Sequence, residues 1–256
     1  MTEPTPLAAR WSAGDTTFGV WATIDSPFAA ELIAEEGPDY LCLDGQHGLI
    51  GLDTQIAMLQ AVRGSATVPV VRVPNHDPAL IGQALDFGAA GVIVPMVRTP
   101  REAQAIVRAF RYQPDGIRSY GPARAALTLG GTPRTGLSSV ACILMLETAD
   151  ALDHVQEIAA IDGVDALYIG PSDLSLALGF DAVPAWGEPA LDDALARVLA
   201  ACRAHGVAAG VHCGDGASGR RHMELGFRMI TVATDAHMLV RGVRAEIAAA
   251  RGSMER

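Results

Sequence analysis

Short runs of apolar residues alternate along the chain with longer segments in which apolar and polar residues recur at helical spacing. The short runs are rich in β-branched residues, so they predict strands that are buried on both faces. Eight predicted strands cover residues 18–22, 40–44, 68–72, 91–95, 141–147, 166–170, 206–212 and 229–232. Eight predicted helices cover residues 27–36, 52–64, 77–88, 100–110, 149–160, 189–205, 216–225 and 235–250.

Strands that alternate with helices predict a parallel sheet whose outer face is covered by the helices. Eight such pairs in 256 residues predict an α/β fold of the (β/α)8 or TIM-barrel type, and we assign one such domain to residues 1–256. An open, doubly wound sheet is the alternative, but no GxGxxG motif follows the first predicted strand.

One connection, residues 111–137, is much longer than the others. Loops of this length inside compact domains are typical of lids, binding loops or mobile segments. Its start falls on the end of the barrel opposite the expected active site. Within it, Arg118, Tyr120 and Arg124 are candidates either to bind a distal carboxylate of a substrate or to brace a subunit interface.

Composition narrows the functional classes. Half of the residues are hydrophobic and the net charge is -10, which predicts a large core and argues against nucleic-acid binding. No signal peptide or membrane-spanning run is visible, so we expect a cytoplasmic protein without a membrane partner. The four cysteines lie in apolar or helical segments without a CxxC pair, which predicts buried thiols rather than a disulfide or zinc framework.

The chain contains no lysine, because all 19 basic residues are arginine. A Schiff base with a carbonyl substrate, a pyridoxal phosphate anchor and a Walker P-loop all require a lysine. Any carbon–carbon bond chemistry must therefore stabilise its carbanion by other means, and a metal ion is the obvious candidate.

Polar residues collect at the ends of the predicted strands. In an α/β barrel these ends meet at the carboxyl-terminal face, where active sites form. Six strands supply the set Trp21, Asp44 with His47, Arg72, Glu147, Ser172 with Asp173, and His212. Each residue alone is a weak signal, but their convergence predicts an active site.

Glu147 and Asp173 follow neighbouring buried strands, so their charges need a partner. Two carboxylates suit a hard divalent cation such as Mg²⁺ or Mn²⁺, with water and a chelating substrate completing the coordination. The alternatives are an arginine partner for Glu147 and a helix-capping role for Asp173 beside Ser172. Considered as a pair, the two carboxylates favour a metal.

Arg72 and His47 are the candidates for the reaction chemistry. A guanidinium can bind a carboxylate through two hydrogen bonds and stabilise an enolate oxygen, although Arg72 could instead only pair with Asp44. His47 suits proton transfer near neutral pH, or it is a turn histidine bonded to backbone. Asp44 and Asp86 could orient it, but Asp86 ends a helix on the barrel exterior and could reach the site only across a subunit contact.

The remaining histidines carry less weight. His212 could be a packed side chain or a second layer behind the site. We expect the others on the surface: His76, His154, His205, His222 and His237.

Several segments, in order, resemble the metal-dependent class II pyruvate aldolases of the HpcH/HpaI type, and within them the 4-hydroxy-2-oxoheptanedioate and hydroxy-oxoacid aldolase branch. The resemblance runs from about Phe18 to past Gly179 and weakens towards the C-terminus. It is carried by FGVWATIDSPFAAELIAEEGPDYLCLDGQHG, PVVRVP, LDFGAAGVIVPMVRTPREA, DGIRSYGPARA, LETADAL and DGVDALYIGPSDLSLALG.

The resemblance implies a carbon–carbon lyase that reversibly cleaves a 4-hydroxy-2-oxoacid to pyruvate and an aldehyde through a metal-bound pyruvate enolate. Its cofactor would be Mg²⁺, Mn²⁺ or Co²⁺, held by Glu147 and Asp173. It implies that His47 is the base, that Asp86 raises the basicity of this histidine, and that Arg72 stabilises the enolate.

The same resemblance implies a substrate-binding group of Trp21, Arg72, Ser172 and Asp173, in which the Ser172 backbone contacts the pyruvate carboxylate. It also implies a homo-oligomer, often a hexamer built as a trimer of dimers, in which the last helix is swapped between subunits. Such an assembly offers a route for Asp86 to reach a site.

Two residues depart from the family pattern: Gln46 stands where many members carry glutamate, and Met145 stands where several carry glutamine. The second change removes a polar contact to the substrate. Three other interpretations are an acyl-CoA lyase of the citrate-lyase β-like branch, a non-catalytic barrel that binds carboxylates, and a strand-end set that forms only internal salt bridges.

Overall fold

Eight parallel strands form a closed barrel in the computed structural model, which describes residues 5–252. The strands are β1 (Thr17–Ala22), β2 (Tyr40–Asp44), β3 (Val68–Arg72), β4 (Gly91–Val94), β5 (Ala141–Leu146), β6 (Ala166–Ile169), β7 (Ala208–His212) and β8 (Met229–Thr234). Each strand pairs with the next along the chain, and β8 pairs with β1. The predicted TIM barrel is confirmed, while residues 1–4 and 253–256 of the predicted domain lie outside the described residues.

Helices surround the barrel. They are α1 (Leu7–Ser12), α2 (Pro27–Glu35), α3 (Leu52–Ala61), α4 (Pro78–Asp86), α5 (Pro100–Phe110), α6 (Ala125–Thr128), α7 (Ala149–Asp153), α8 (Val155–Ala159), α9 (Pro171–Ala177), α10 (Pro189–His205), α11 (Gly216–Leu225) and α12 (Asp235–Arg251). The predicted helix at 149–160 is two short helices, α7 and α8. The sequence did not predict α1, α6 and α9, because helices of 4 to 7 residues are too short for a clear apolar period.

Capping residues fix where several elements begin and end. The Ser26 side chain accepts a hydrogen bond from the first turn of α2, and Thr99 and Glu102 form a capping box at the start of α5. Gly206 ends α10 in the left-handed conformation, with φ of 69°. The seventh strand therefore starts at Ala208, two residues later than predicted.

The inside of the barrel is filled by side chains rather than forming a channel. Tyr40 from β2 and Tyr168 from β6 place their hydroxyl groups 2.8 and 2.6 Å from the Thr231 hydroxyl on β8. A Cβ atom at Gly19 or Gly210 would overlap these tyrosine rings. Glycine at both positions lets the two tyrosines pack across the barrel and support the layer above them.

The amino-terminal end of the barrel is closed by α1. Leu7 and Trp11 from this helix join the cluster of buried residues inside the barrel, and Trp11 Nε1 donates to Thr17 Oγ1 at 2.9 Å. The four cysteines are free and buried, as predicted. Between residues 5 and 252, no helix has both the length and the apolar character that a bilayer crossing requires.

The last helix, α12, contacts the barrel mainly near its first residues. Asp235 is its only buried residue, whereas Leu239, Val240, Val243 and Ile247 are all about half exposed. These four side chains leave an apolar face of α12 open to solvent in the single chain.

Candidate active site

Strand alternation aims several polar side chains into the carboxyl-terminal mouth of the barrel. Asp44, Arg72 and Glu147 each stand two positions after a residue of the cluster inside the barrel. These cluster residues are Cys42, Val70 and Met145. Because side chains alternate with a period of two along a strand, Asp44, Arg72 and Glu147 point into the same interior. There the apolar layers end and polar groups take their place.

Asp44 and Arg72 form a buried ion pair on this face. The two residues are partners in the register of β2 and β3. Arg72 Nε donates to Asp44 Oδ1 at 2.9 Å, and Arg72 Nη2 donates to Asp44 Oδ2 at 2.6 Å. Trp21 Nε1 donates to the same Oδ2 at 3.0 Å, and the guanidinium carbon of Arg72 lies 4.9 Å from the centroid of the Trp21 ring. Pairing of Arg72 with Asp44, considered above as an alternative, is therefore present.

The ion pair stabilises the charged form of both partners. Burial opposes the ionisation of Asp44, but the hydrogen bonds and positive charge of Arg72 outweigh it, so the pKa of Asp44 is lowered. Burial likewise opposes the charge of Arg72, and Asp44 raises the pKa of this arginine. Arg72 Nη1 faces only the Met145 sulfur, at 3.8 Å. Because thioether sulfur is a weak acceptor, Arg72 retains hydrogen-bonding capacity for a ligand.

The turn after β2 is shaped by the same carboxylate. Asp44 Oδ1 accepts the backbone N–H groups of Gln46 and His47 at 3.0 and 3.1 Å. The His47 side chain is exposed above this turn. Asp44 therefore contacts the main chain of His47, and it fixes the position from which the imidazole projects.

Glu147 lies one residue beyond β5 and is only 2% exposed. Its Oε1 accepts the Met96 backbone N–H at 2.8 Å. A Cβ atom at Gly170 would overlap Oε2, so the carboxylate packs against bare backbone at the end of β6. Within residues 5–252, Glu147 forms no ion pair with an arginine, and the arginine-partner alternative is wrong.

Asp173 is an exposed residue in the first turn of α9, and it lies close enough to Glu147 for their charges to interact. This helix has Gly170 as its N-cap and no side-chain capping bond, so the capping alternative for Asp173 is wrong. Burial and the negative charge of Asp173 raise the pKa of Glu147 to about 7, although the Met96 N–H and Arg72 favour its ionised form. The charge of Asp173 therefore adds to burial in opposing the ionisation of Glu147.

These two carboxylates fit a hard divalent cation. No group of three or more histidine, cysteine or acidic side chains able to hold a metal occurs in the described part of the chain, so the protein itself would contribute only Glu147 and Asp173. Mg²⁺ commonly binds through one or two carboxylates and keeps its remaining positions for water and substrate. A site of this kind suits a chelating substrate better than a permanently closed structural metal.

His212, at the end of β7, belongs to the wall of the site. Its ring lies edge-on to Trp21 with 5.0 Å between centroids, and Trp21 stacks on Tyr168 at 5.9 Å. Burial and the positive charge of Arg72 lower the pKa of His212 to about 4. His212 is therefore a neutral, packed side chain behind the Arg72–Asp44 pair.

Two histidines expected on the surface are placed differently. His222 is buried between Trp186 and Phe227, with Nδ1 2.8 Å from the Ser218 carbonyl oxygen. His76 is half-buried, with Nε2 2.6 Å from the Pro95 carbonyl oxygen. For His222 the available signal was helical spacing, since it stands four residues after Ser218, another buried residue of α11.

Asp235 was also missed by the sequence argument. Its buried carboxylate accepts the backbone N–H groups of Thr23 and Ile24 at 2.9 Å and the Thr23 hydroxyl at 2.8 Å. Asp235 follows β8, so these bonds tie the connection after β1 to the last strand. The signal was its position directly after a strand end, as for Asp44.

Asp86 lies at the end of α4. Because barrel helices run opposite to the strands, this is the amino-terminal end of the barrel, away from the mouth of the same chain. Its Oδ1 accepts a hydrogen bond from Arg118 Nη2 at 2.8 Å. Arg124 from the same long connection donates to the Phe87 carbonyl at 2.6 Å, while the Tyr120 side chain is exposed. The connection thus packs across the end of α4, not over the mouth of its own barrel.

Comparison with known proteins identifies the family. The pattern of the HpcH/HpaI aldolase/citrate lyase family matches residues 17–242. This chain belongs to the HpcH/HpaI aldolase/citrate lyase family. The resemblance noted from the sequence motifs is confirmed.

Relatives of this HpcH/HpaI family member share most of its length. A hydroxypyruvate/pyruvate aldolase from Roseovarius nubinhibens is 39% identical over 243 residues, covering 93% of each chain. A 5-keto-4-deoxy-D-glucarate aldolase from Salmonella paratyphi C is 34% identical over 235 residues, covering 91% of each chain. The crystal structure of an HpcH/HpaI aldolase/citrate lyase family protein from Burkholderia cenocepacia has a TM-score of 0.90 at 36% identity, covering 97% of this chain and 100% of that one. The protein is therefore a carbon–carbon lyase, as predicted.

The structure of this HpcH/HpaI family member brings most of the predicted site residues to one mouth. Trp21, Asp44, Arg72 and His212 form one side. Glu147 lies on the other side, close enough to Asp173 for the charge of Asp173 to raise the pKa of Glu147, and Ser172 shares the first turn of α9 with Asp173. Asp86 is at the opposite end of its own barrel. The catalytic and binding roles assigned to these residues stay predictions.

Proposed function

We propose that the protein is a divalent-metal-dependent aldolase that reversibly cleaves a 4-hydroxy-2-oxoacid to pyruvate and an aldehyde. The observation that carries this proposal is the buried carboxylate of Glu147, whose pKa is raised by burial and by the nearby Asp173 and which shares the barrel mouth with the buried Arg72. A 2-oxoacid carries a ketone next to its carboxylate. A cation held by Glu147 and Asp173, together with the guanidinium of Arg72, matches these two adjacent groups. The relatives named as pyruvate and keto-deoxy-sugar-acid aldolases support the same substrate class.

Glu147 and Asp173 would hold the cation. When bound, a divalent cation supplies Lewis-acid polarisation of the substrate ketone, which lowers the cost of forming a carbanion beside it. Burial contributes through Glu147, because a carboxylate in an apolar setting gains more from a cation than one in water.

Arg72 stabilises the negative charge that develops on the ketone oxygen as the carbon–carbon bond breaks. Its orientation is fixed before substrate arrives, since Asp44 holds Nε and Nη2 and Trp21 lies against the guanidinium. A donor that is already in place requires no reorganisation during the reaction. Trp21 and Arg72 would border the substrate, together with Ser172 and Asp173.

His47 moves the proton of the hydroxyl group at the bond being cleaved. Its exposed ring stands on a turn whose backbone is held by Asp44. General acid–base catalysis contributes about 10²–10⁴-fold to rate. The His47→Gln variant should therefore lose about 10³-fold in kcat and keep the melting temperature of the wild-type protein. Full turnover in this variant would contradict the role.

We further propose that the exposed apolar face of α12 is covered in a homo-oligomer, as a hexamer with swapped helices would do. An apolar stripe made of Leu239, Val243 and Ile247 on one helix is typical of an interface rather than of a monomer surface. Asp86 could support His47 only in such an assembly, because the two lie at opposite ends of one barrel. Light scattering on the Val243→Glu variant should show dissociation, and an unchanged mass would contradict this interface.

A coupled assay tests the aldolase itself. Release of pyruvate from 4-hydroxy-2-oxoacids is followed with lactate dehydrogenase, across a panel of aldehyde moieties. We expect turnover that a chelator abolishes and that Mg²⁺, Mn²⁺ or Co²⁺ restores. Turnover unaffected by chelation would exclude the metal mechanism, and binding of 2-oxoacids without turnover would favour a carboxylate-binding barrel. Cleavage of acyl-CoA esters in place of oxoacids would favour the citrate-lyase-like alternative.

A further inference from the structure

The connection after β4 holds an unusual backbone conformation next to Glu147. Met96 has φ of 57°, and it is the single non-glycine residue with positive φ among those the structure describes. A side chain in this left-handed region is unfavourable, so surrounding contacts must hold it there. The conformation directs the Met96 N–H at Glu147 Oε1, 2.8 Å away.

The peptide group between Pro95 and Met96 connects Glu147 to His76. The carbonyl of Pro95 and the N–H of Met96 belong to the same planar unit, and in a trans peptide they point in opposite directions. His76 Nε2 lies 2.6 Å from the Pro95 carbonyl oxygen, so His76 must carry a proton on Nε2 and donate it. His76 and Glu147 therefore bind the two sides of one peptide.

The two hydrogen bonds of the Pro95–Met96 peptide reinforce each other. A hydrogen bond accepted by a peptide carbonyl polarises the unit and strengthens the bond that its N–H donates. Val97 N also donates to the Met145 carbonyl at 3.2 Å, which anchors the following residue to β5. His76 comes from the connection between β3 and α4, so three connections at the mouth converge on one carboxylate.

We propose that His76 is a positioning residue for the metal site: by holding the Pro95–Met96 peptide, it sets the orientation in which Glu147 meets the cation. This inference rests on the proposed metal-dependent function. Glu147 Oε1 is held by the peptide, and Oε2 has no hydrogen-bond partner within residues 5–252. Fixing one oxygen removes rotational freedom of the carboxylate before a cation binds.

The test measures Mn²⁺ affinity of the purified protein without substrate, by electron paramagnetic resonance of the free ion. His76→Gln places an amide N–H where Nε2 stands, whereas His76→Phe keeps a ring and removes the donor. Partners that orient a metal ligand are worth about 10–100-fold in metal affinity. We expect H76F to weaken Mn²⁺ binding by about this factor and H76Q to stay within about threefold of the wild-type protein.

Matched controls separate the inference from general damage. His205→Phe removes an exposed histidine that bonds Gln156 at the other end of the barrel, and it should leave the affinity unchanged. If H76F does not fold, His76→Leu supplies the comparison with H76Q. Equal Mn²⁺ affinity of the wild-type protein and the donor-free variant, or equal weakening by H76Q, overturns the role of His76.

The Glu147→Gln variant distinguishes this failure from failure of the proposed function. If wild-type protein binds Mn²⁺ through Glu147 and H76F binds it equally well, only the His76 inference is wrong. If wild-type protein binds no Mn²⁺, or E147Q binds it as tightly, the metal site itself is wrong and the inference goes with it.

Discussion

Two buried carboxylates on opposite sides of the barrel mouth have pKa values that are shifted in opposite directions. On the side of β2 and β3, Asp44 is matched by Arg72 and its pKa is lowered. On the side of β5 and β6, Glu147 is equally buried but has the negative Asp173 as its neighbour, and its pKa is raised to about 7. The first side is charge-balanced by Arg72, whereas on the second side burial and Asp173 both oppose the ionisation of Glu147.

Because of this difference, we expect the Asp44–Arg72 side to affect folding stability and the Glu147–Asp173 side to affect function. Removing one partner of a buried ion pair leaves the other charge buried and unpaired, which lowers the stability of the fold. An unpaired buried carboxylate works against stability at neutral pH, and such groups concentrate at functional sites. We call the Asp44–Arg72 side the matched side and the Glu147–Asp173 side the unmatched side. Mutations on the matched side should change stability and activity, and mutations on the unmatched side should change activity and metal binding.

The largest expected effect is at the unmatched side. Glu147→Gln keeps the size of the side chain but removes the charge, so it should lower kcat/KM by about 10³-fold or more and abolish the rise in melting temperature that we expect Mn²⁺ to cause in the wild-type protein. Without metal, the variant should be at least as stable as the wild-type protein at pH 8, because a buried charge has been removed. Calorimetry with and without Mn²⁺ measures both effects.

Asp165→Asn is the matched control. Asp165 is another acid whose pKa burial raises, to about 6, but it precedes β6 at the amino-terminal end of the barrel. Its amide variant should keep the response to Mn²⁺. A wild-type metal response in Glu147→Gln would remove the distinction between the two sides.

The next largest effect is at the matched side. Arg72→Met leaves Asp44 charged, buried and without its cation, which should lower the free energy of unfolding by about 3–5 kcal/mol. The double variant Asp44→Asn with Arg72→Met removes both charges and should recover a large part of that loss, while activity stays absent. Denaturant unfolding at pH 7 checks the cycle. Equal stability of single and double variants would show that the ion pair does not organise this side.

The smallest effect is in the pH dependence of the metal-free protein. Between pH 4.5, the ordinary pKa of glutamate, and about 7, folded Glu147 is protonated whereas unfolded Glu147 is ionised. The folded state binds more protons in this window, so stability falls as pH rises, by about 3 kcal/mol in total. The fall should be much smaller in Glu147→Gln and in wild-type protein saturated with Mn²⁺. Urea unfolding at pH 5, 6, 7 and 8 measures this dependence. If the stability of the metal-free wild-type protein and that of Glu147→Gln changed equally with pH, the assignment to Glu147 would be contradicted.

Local patterns in the sequence determined the barrel and the set of strand-end residues. Apolar runs bounded by helical segments predict the eight strands without knowledge of any contact, because burial on both faces leaves a continuous apolar signature. Since the carboxyl ends of parallel strands meet on one face, the positions of Asp44, Arg72 and Glu147 followed from the order of elements.

Only the tertiary structure decided which of these groups are partners. The register between β2 and β3 sets Asp44 opposite Arg72, and a register is a relation between distant segments that no local pattern records. The left-handed turn at Met96, the His76 contact and the packing of the long connection against Asp86 likewise depend on loops from separate parts of the chain. Which carboxylate is paired with an arginine and which has its pKa raised is therefore a property of the folded barrel, because it depends on the distances between charges that folding brings together.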